Sequence, residues 1–307
     1  MSWRIVHIKE GDYLRLKLDN IEVSKNGDKI YIPLSDISVI ILEGQRTTLT
    51  TRLLGKLSQY NIALVVCDTK YLPTGLYLSY GQYHRTAKRA RQQLEMKASL
   101  KNELWKNIVQ QKTRNQIDFA KFYGADEERI QLMEELYLEI QPGDFTNREG
   151  HIAKVYFNSL YGMGFTRDDE CIENMAMNFG YTIIRTYMAR LVVGNGLMTM
   201  IGIFHKGEYN QFNLVDDLME PFRGIMDYWL YREILSNNGD PYLDYSKRLR
   251  IIDFMNQPMM DDGRKSTVDL VMAKYISSVV KVMEDEDVSA LKKIKLSDFI
   301  AAEENRK

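Results

Sequence analysis

The pattern of apolar residues changes once along this chain, between residues 75 and 84, and the change limits the folds available to it. Before it, short runs rich in β-branched and aromatic residues alternate with turn residues, as in YLRLKL at 13–18 and SVIIL at 38–42. Such runs predict strands. After it, apolar residues recur at three- and four-residue steps to the end of the chain, which predicts helices. We therefore expect an α+β protein, with a small β-rich domain over 1–75, a linker over 76–83 and a larger all-α domain over 84–307.

Local signals refine the β-rich part. Asn26-Gly27 lies between two strand-like runs and predicts a two-residue hairpin turn. The stretch TLTTRLLGKLSQ at 48–59 has a threonine cap and leucines at helical spacing, which predicts one helix before the strand-like IALVVCD. YLPTGLYLSYG at 71–81 contains a proline and two glycines and is interpreted as a connector.

Composition excludes several classes of protein. With 307 residues, 45% of them hydrophobic and 27% charged, the chain is long enough for one large or two ordinary soluble domains. Its two cysteines are far apart, which excludes a disulfide framework or a zinc knuckle. The most apolar stretch, 191–204, is broken by glycines and is shorter than the roughly 20 residues that a membrane helix needs. Since the N-terminus also lacks an apolar signal segment, we expect a cytoplasmic location and no membrane contact.

An acidic cluster in FHKGEYNQFNLVDDLMEPFR, at 204–223, is the first candidate site. On a helix, Asp217 and Glu220 are three residues apart and point the same way, with Asp216 beside them. Pro221 predicts that this helix is kinked or begins at the proline. A solvated acidic face explains these residues as well as a cation site does.

His205 is one of only four histidines and comes directly after an apolar segment, before Lys206-Gly207. An imidazole together with carboxylates suits Mg²⁺ or Mn²⁺. Glu149 is a possible third ligand, although Thr146 as N-cap with Glu149 three residues later forms a capping box that explains the glutamate equally well. A histidine satisfied at the end of an element is the alternative for His205.

Asn174, Asn178 and Tyr181 form a polar stripe on a predicted helix that is otherwise apolar. Such a stripe is typical of either a buried hydrogen-bond network or the wall of a site.

The net charge of −1 predicts no overall attraction to nucleic acid, so a DNA-binding surface would have to be local. The segment YHRTAKRARQQLEMK offers one, with basic residues that can contact phosphates: His84, Arg85, Lys88, Arg89 and Arg91. Further basic residues extend this stretch: Lys101, Lys106, Lys112 and Arg114. A solvated helix face is the alternative.

Three segments in a fixed order resemble one known family. They are REGHIAKVYFNSLYG, ENMAMNFGYTIIR and IGIFHKGEYNQFNLVDDLMEPFR, and they resemble the CRISPR-associated integrase Cas-one (Cas1), the catalytic subunit of the spacer-acquisition complex. The likeness extends over essentially the whole chain. PTGLYL followed by HRTAKRARQQ is similar to the branch that accompanies type II systems, most closely subtype II-A.

The resemblance implies a divalent-metal site for Mg²⁺ or Mn²⁺. Glu149, His205 and Glu220 stand at the metal-binding and catalytic positions of the family. Many relatives have aspartate at the position of Glu220, so the side chain of this chain is longer there. Asp217 matches a neighbouring acidic position, behind the ligands or facing a phosphate. Asn213 and Arg223 match positions that orient ligands or contact DNA.

The resemblance also implies partners and a reaction. The partners are a second copy of the chain, the small ferredoxin-like Cas-two (Cas2), double-stranded DNA and, for subtype II-A, an RNA-guided effector nuclease and a ring-shaped DNA-end-binding protein. The reaction joins the 3′-hydroxyl ends of a short duplex to the CRISPR repeat by transesterification, which needs no protein nucleophile. A metal-dependent nuclease that cleaves branched DNA and a non-catalytic DNA-binding scaffold are the alternatives.

Overall fold

The computed structural model describes residues 4–11, 13–80, 83–236 and 241–304. The chain folds as two compact units, one formed by Met1–Ala90 with Arg185–Met198 and the other by Arg91–Ile184 with Thr199–Lys307. The sequence pattern assigns residues 185–198 to the helical domain, but they belong to the first unit. There the Arg190 side chain donates a 2.6 Å hydrogen bond to the carbonyl oxygen of Asn61.

The first unit contains two four-stranded sheets. Its strands are β1 Arg4–Ile8, β2 Tyr13–Lys17, β3 Asn20–Lys25, β4 Asp28–Pro33, β5 Ile37–Leu42, β6 Thr48–Leu49, β7 Ala63–Cys67 and β8 Pro73–Tyr77. One sheet has the order β1-β5-β7-β8, in which only the β7–β8 pair is antiparallel. The other has the order β4-β3-β2-β6. All of β5 is buried, as its continuous apolar run requires.

The local predictions for this unit hold with one exception. Asn26 and Gly27, with φ of 51° and 90°, form the turn between β3 and β4. Helix α1, Thr51–Gln59, begins after Thr50, whose side chain accepts a hydrogen bond from the Leu53 amide. The connector assigned to 71–81 was wrong over 73–77, because these residues pair with β7 as strand β8. Strand β8 lies at the edge of its sheet and begins with Pro73, a position at which a strand tolerates proline.

The second part of the chain is mainly helical, which confirms the predicted α+β class. Its helices are α2 Thr86–Glu95, α3 Ala98–Tyr123, α4 Glu127–Leu138, α5 Arg148–Tyr161, α6 Ile172–Gly194, α7 Asn213–Leu230, α8 Tyr245–Ile252, α9 Val268–Asp285 and α10 Leu296–Glu304. The prediction of an all-α domain missed a hairpin of β9 Pro258–Asp261 and β10 Arg264–Thr267. Among the described residues, no helix combines the length and apolar character needed to cross a membrane.

Helices α3 and α7 pack closely, and this contact positions the candidate site. At residue 224 of α7, a Cβ atom would lie 3.1 Å from the backbone of Asn115 and Gln116 on α3, so glycine is needed for the close approach. The Asn115 side chain donates a 2.8 Å hydrogen bond to the carbonyl oxygen of Pro221. Helix α7 runs from Asn213 through Pro221, so the alternative in which it begins at the proline was wrong.

Candidate active site

The loop between α6 and α7 carries His205, and the buried carboxylate of Asp217 holds it in place. Asp217 Oδ2 accepts hydrogen bonds from the amides of Ile203 and Phe204, at 2.6 and 3.0 Å. Asp217 Oδ1 accepts from the amide of His205 at 3.1 Å and contacts its Nδ1 at 2.6 Å. Because Nδ1 is the donor in this contact, the neutral imidazole presents the lone pair of Nε2.

Asp217 also changes the protonation of His205. The hydrogen bond to Asp217 raises the pKa of His205, and this effect outweighs burial, which lowers it. Asp217 itself is fully buried. It therefore lies behind the histidine, which agrees with one of the two positions that the family resemblance implies.

Asn213, at the start of α7, closes the same loop. Its Oδ1 accepts a 3.1 Å hydrogen bond from the Gly207 amide, and its Nδ2 donates to the carbonyl oxygens of Gly207 and Met200 at 2.9 and 3.3 Å. At residue 202 a Cβ atom would overlap the carbonyl oxygen of His205, so the loop also needs glycine there. Asn213 thus shapes the loop around His205, and both N–H groups of its amide donate within this segment.

Aromatic packing against α3 fixes the other side of the loop. The Trp105 and Phe204 rings stack with their centroids 4.4 Å apart and their planes 1° apart. The edge of His205 meets Trp105 at a centroid distance of 5.8 Å. The imidazole is therefore held by Asp217 on one side and by an aromatic ring on the other, while its side chain stays 42% exposed.

Helix α5 presents Glu149 to the same region. The predicted capping box was wrong: the N-cap is Asn147, in a left-handed conformation, and its side chain accepts from the amide of Gly150. Asp144 accepts hydrogen bonds from the amides of Arg148 and Glu149, at 2.9 and 3.0 Å. Since these residues satisfy the first turn, the Glu149 carboxylate is not needed as a cap.

Glu149 and Glu220 converge on one buried cation, the ammonium group of Lys112. Lys112 Nζ forms ion pairs with Glu149 Oε1 and with Glu220 Oε2. Burial lowers the pKa of Lys112, but the charges of Glu220 and Glu149 raise it by more, so its pKa lies above the ordinary value. Sequence reasoning missed this role, because Lys112 was counted there among the basic residues that extend the DNA-binding stretch.

Arg223 neutralises the other oxygen of Glu220. Arg223 Nε lies 3.0 Å from Glu220 Oε1, and its guanidinium carbon lies 4.7 Å from the centroid of the Tyr181 ring. Burial raises the pKa of Glu220, but the charges of Arg223 and Lys112 lower it by more. Arg223 was expected either to orient a ligand or to contact DNA. In the structure it lies next to Glu220, a predicted ligand.

The donor set fits a divalent cation in its chemistry, although the side chains as placed do not enclose one. Two carboxylates already meet at a single positive charge, and His205 lies near enough to Glu220 that the charged form of the imidazole lowers the pKa of that carboxyl. The described residues contain no group of three histidine, cysteine, aspartate or glutamate side chains poised around a common metal position. Lys112 stands between the two glutamates instead.

The polar stripe of α6 forms a hydrogen-bond network that is buried at Asn174 and Tyr181 and exposed at Asn178. Arg167 donates hydrogen bonds to Asn174 and Asn178. The hydroxyl groups of Tyr181 and Tyr156 donate to Asp227 at 2.6 and 2.8 Å. Burial raises the pKa of Asp227 to about 6.

The predicted DNA-binding residues lie around the start of α2. His84, Arg85, Lys88 and Arg91 are exposed. Arg89 differs, since it is only 8% exposed and its guanidinium carbon lies 5.8 Å from the centroid of the Tyr83 ring. Four of the five residues are therefore accessible to a phosphate backbone.

Comparisons with known proteins agree on one family. The sequence model described as "CRISPR associated protein Cas1" matches residues 5–248. A relative from Neisseria meningitidis serogroup C (strain 8013), named CRISPR-associated endonuclease Cas1, is 39% identical over 227 residues, which are 74% of each chain.

Solved structures share the fold at low identity. A casposase bound to integration product superimposes with a TM-score of 0.74 and 16% identity, covering 96% of this chain and 93% of the other. A chain of a Cas6-RT-Cas1–Cas2 complex gives a TM-score of 0.75 and 16% identity, covering 96% of this chain and 36% of that longer one. The family match and the identity to the Neisseria protein show that this chain belongs to the CRISPR associated protein Cas1 family.

Proposed function

We propose that this chain is a divalent-metal-dependent DNA endonuclease and integrase of CRISPR adaptation. Its Neisseria relative is named an endonuclease, and its structural neighbour, the casposase, is bound to an integration product. The observation that carries the proposal is the meeting of Glu149 and Glu220 at one cation position, beside a histidine oriented by Asp217.

Each residue of the site has a separate role in this proposal. Glu149, Glu220 and Nε2 of His205 would hold Mg²⁺ or Mn²⁺, and Asp217 would fix the tautomer and the direction of the imidazole. Arg223 would keep Glu220 ionised and anchored. The bound cation would supply Lewis-acid activation at a DNA phosphodiester.

The reaction would exchange one phosphodiester for another. The oxygen of a DNA 3′-hydroxyl bonds to the phosphorus of the repeat strand, and the bond from that phosphorus to the strand's own 3′-oxygen breaks. The proton lost by the attacking hydroxyl ends on the departing oxygen, directly or through solvent. No serine or cysteine nucleophile is required, so the chain's role is to bind, align and balance charge.

The partners extend the proposal. The Cas2 subunit in the neighbouring complex supports a Cas2-type partner, and the exposed basic residues around α2 are suited to the DNA backbone. A homodimer and the subtype II-A partners, the RNA-guided effector nuclease and the ring-shaped DNA-end-binding protein, are further parts of the proposal. Co-purification of tagged protein with each candidate tests them.

The experiment uses a branched DNA that imitates a half-integrated product. Because exchange of phosphodiesters is nearly thermoneutral, an integrase should also reseal such a branch, with Mn²⁺ but not with a chelator. We expect Glu149→Gln, His205→Ala and Glu220→Gln each to abolish resealing while remaining folded. The matched control is Glu103→Gln, an exposed glutamate on α3, which should retain activity.

The products separate the alternatives. Resealed strands that disappear in the three variants support the integrase. Nicks without resealing would instead identify a nuclease that uses water. No strand chemistry, even with the small partner added, would leave a DNA-binding scaffold as the function.

A further inference from the structure

Lys112 occupies the point at which the two glutamates of the candidate site meet. Its side chain is 10% exposed, and its ammonium group contacts both the Glu149 and the Glu220 carboxylates. Long flexible lysine side chains are rarely buried unless they are paired, and here one lysine is paired with two carboxylates.

The charges around this position already balance. The negative charges of Glu149 and Glu220 face the positive charges of Lys112 and Arg223, all within one largely buried cluster. A divalent cation added to this set would bring two more positive charges close to the ammonium group in a region of low polarity, which is strongly unfavourable.

We propose that Lys112 is an internal cation that competes with the divalent metal for Glu149 and Glu220 and leaves this position when the metal binds. This inference rests on the proposed function, since it takes the two glutamates as ligands. In the metal-free chain Lys112 keeps the two carboxylates together and prevents their repulsion. The same contact lowers the apparent affinity for metal, because the ammonium group must first be displaced.

If Lys112 supported the metal site instead of competing for it, removing Lys112 would change the metal affinity in the opposite direction. If Lys112 remained in place and supported the carboxylates as ligands, its removal would weaken metal binding, as the loss of groups that orient ligands usually does. If it competes, its removal strengthens metal binding. The direction of the change therefore decides between the two roles without any measurement of activity.

The test is a titration of Mn²⁺ into metal-free protein, followed by calorimetry or by the electron paramagnetic resonance of free Mn²⁺. Lys112→Met keeps the length of the side chain and removes its charge. We expect it to bind Mn²⁺ at least about tenfold more tightly than the wild type. Lys106→Met, at a half-buried position on the same helix, is the matched control and should bind as the wild type does.

Thermal unfolding gives a second readout, because a metal that binds the folded chain also stabilises it. In chelator, Lys112→Met should unfold at a lower temperature than the wild type, because the buried Glu220 and the half-buried Glu149 carboxylates lose their shared partner. Added Mn²⁺ should raise its unfolding temperature by more than it raises that of the wild type. Unchanged or weaker Mn²⁺ binding in Lys112→Met would overturn the proposal.

Two controls keep the outcomes separate. If the wild type and His205→Ala bind Mn²⁺ alike, the proposed metal site itself is wrong. If binding depends on His205 and Glu220 but not on Lys112, only the present inference fails. Should Lys112→Met not fold, a crystal structure of the wild type with Mn²⁺ decides: displacement of Nζ from both carboxylates supports the proposal, and an unmoved Nζ refutes it.

Discussion

Replacing Asp217 with asparagine tests how the histidine is oriented. The Asp217 carboxylate accepts from three amides and from His205 Nδ1. Asparagine can accept at one of the two oxygen positions only, because the other becomes an NH₂ donor. Placing that NH₂ at the Oδ1 position leaves one amide unpaired, that of His205, whereas the other orientation leaves two, those of Ile203 and Phe204.

The size of the effect follows from this count. One buried donor left unsatisfied costs about 1–3 kcal/mol of unfolding free energy. The NH₂ at the Oδ1 position would also donate to Nδ1 of His205, which moves the ring proton to Nε2 and blocks the nitrogen proposed to bind metal. Loss of a group that orients a histidine ligand typically lowers metal affinity by roughly 10–100-fold.

The change also alters how stability depends on pH. Since Asp217 raises the pKa of His205, the folded chain holds this proton more tightly than the unfolded chain does. That contribution to stability is fully present below the unfolded pKa and is lost as pH rises through the folded value. In Asp217→Asn the pKa of His205 should fall, and this loss of stability with rising pH should shrink.

Three measurements on metal-free and Mn²⁺-loaded protein check the reasoning. Urea unfolding gives the free energy, ¹⁵N shifts of the imidazole give the tautomer and pKa of His205, and calorimetry gives the Mn²⁺ affinity. Asp216→Asn is the matched control, since it removes the neighbouring charge at a half-buried position. An unchanged His205 pKa and unchanged Mn²⁺ affinity in Asp217→Asn would show that Asp217 does not orient the ligand.

Three further predictions concern other parts of the chain. The pKa of Asp227 is about 6 against an ordinary 3.8, so the folded chain holds this proton more tightly than the unfolded chain does. As pH rises from below 4 to above 6, ionisation of Asp227 should therefore lower the unfolding free energy by about 3 kcal/mol. Asp227→Asn should lack this pH dependence, and an equal pH dependence in the variant and the wild type would refute the prediction. Thr50→Ala removes the cap of α1 and should cost about 1 kcal/mol in urea unfolding, whereas no change would mean that the cap is dispensable. Changing Arg85, Lys88 and Arg91 to alanine in one variant should weaken DNA binding. The slope of the logarithm of the binding constant against the logarithm of the salt concentration should become shallower by about 0.9 for each phosphate that the variant no longer neutralises. An unchanged slope would mean that these residues do not contact the DNA.

Several features could be predicted from sequence because they depend on neighbouring residues. The Asn26-Gly27 turn and the Thr50 cap follow from local backbone preferences, and both are observed. Local signals failed where two of them competed. Thr146 and Asn147 are both good N-caps, and the structure uses Asn147 together with Asp144, so the N-cap was assigned one residue too early and no capping box forms.

The sequence by itself determined the α+β class and the grouping of His205, Asp217 and Glu220, because these three residues lie within one loop and the first turns of one helix. Only the tertiary structure decided that Glu149 and Lys112, which are 37 residues apart, meet Glu220. Helical periodicity gives the face on which a residue lies, but not which helix that face will contact. That choice depends on the close approach of α3 and α7 at Gly224, a packing contact between distant residues that no local pattern encodes.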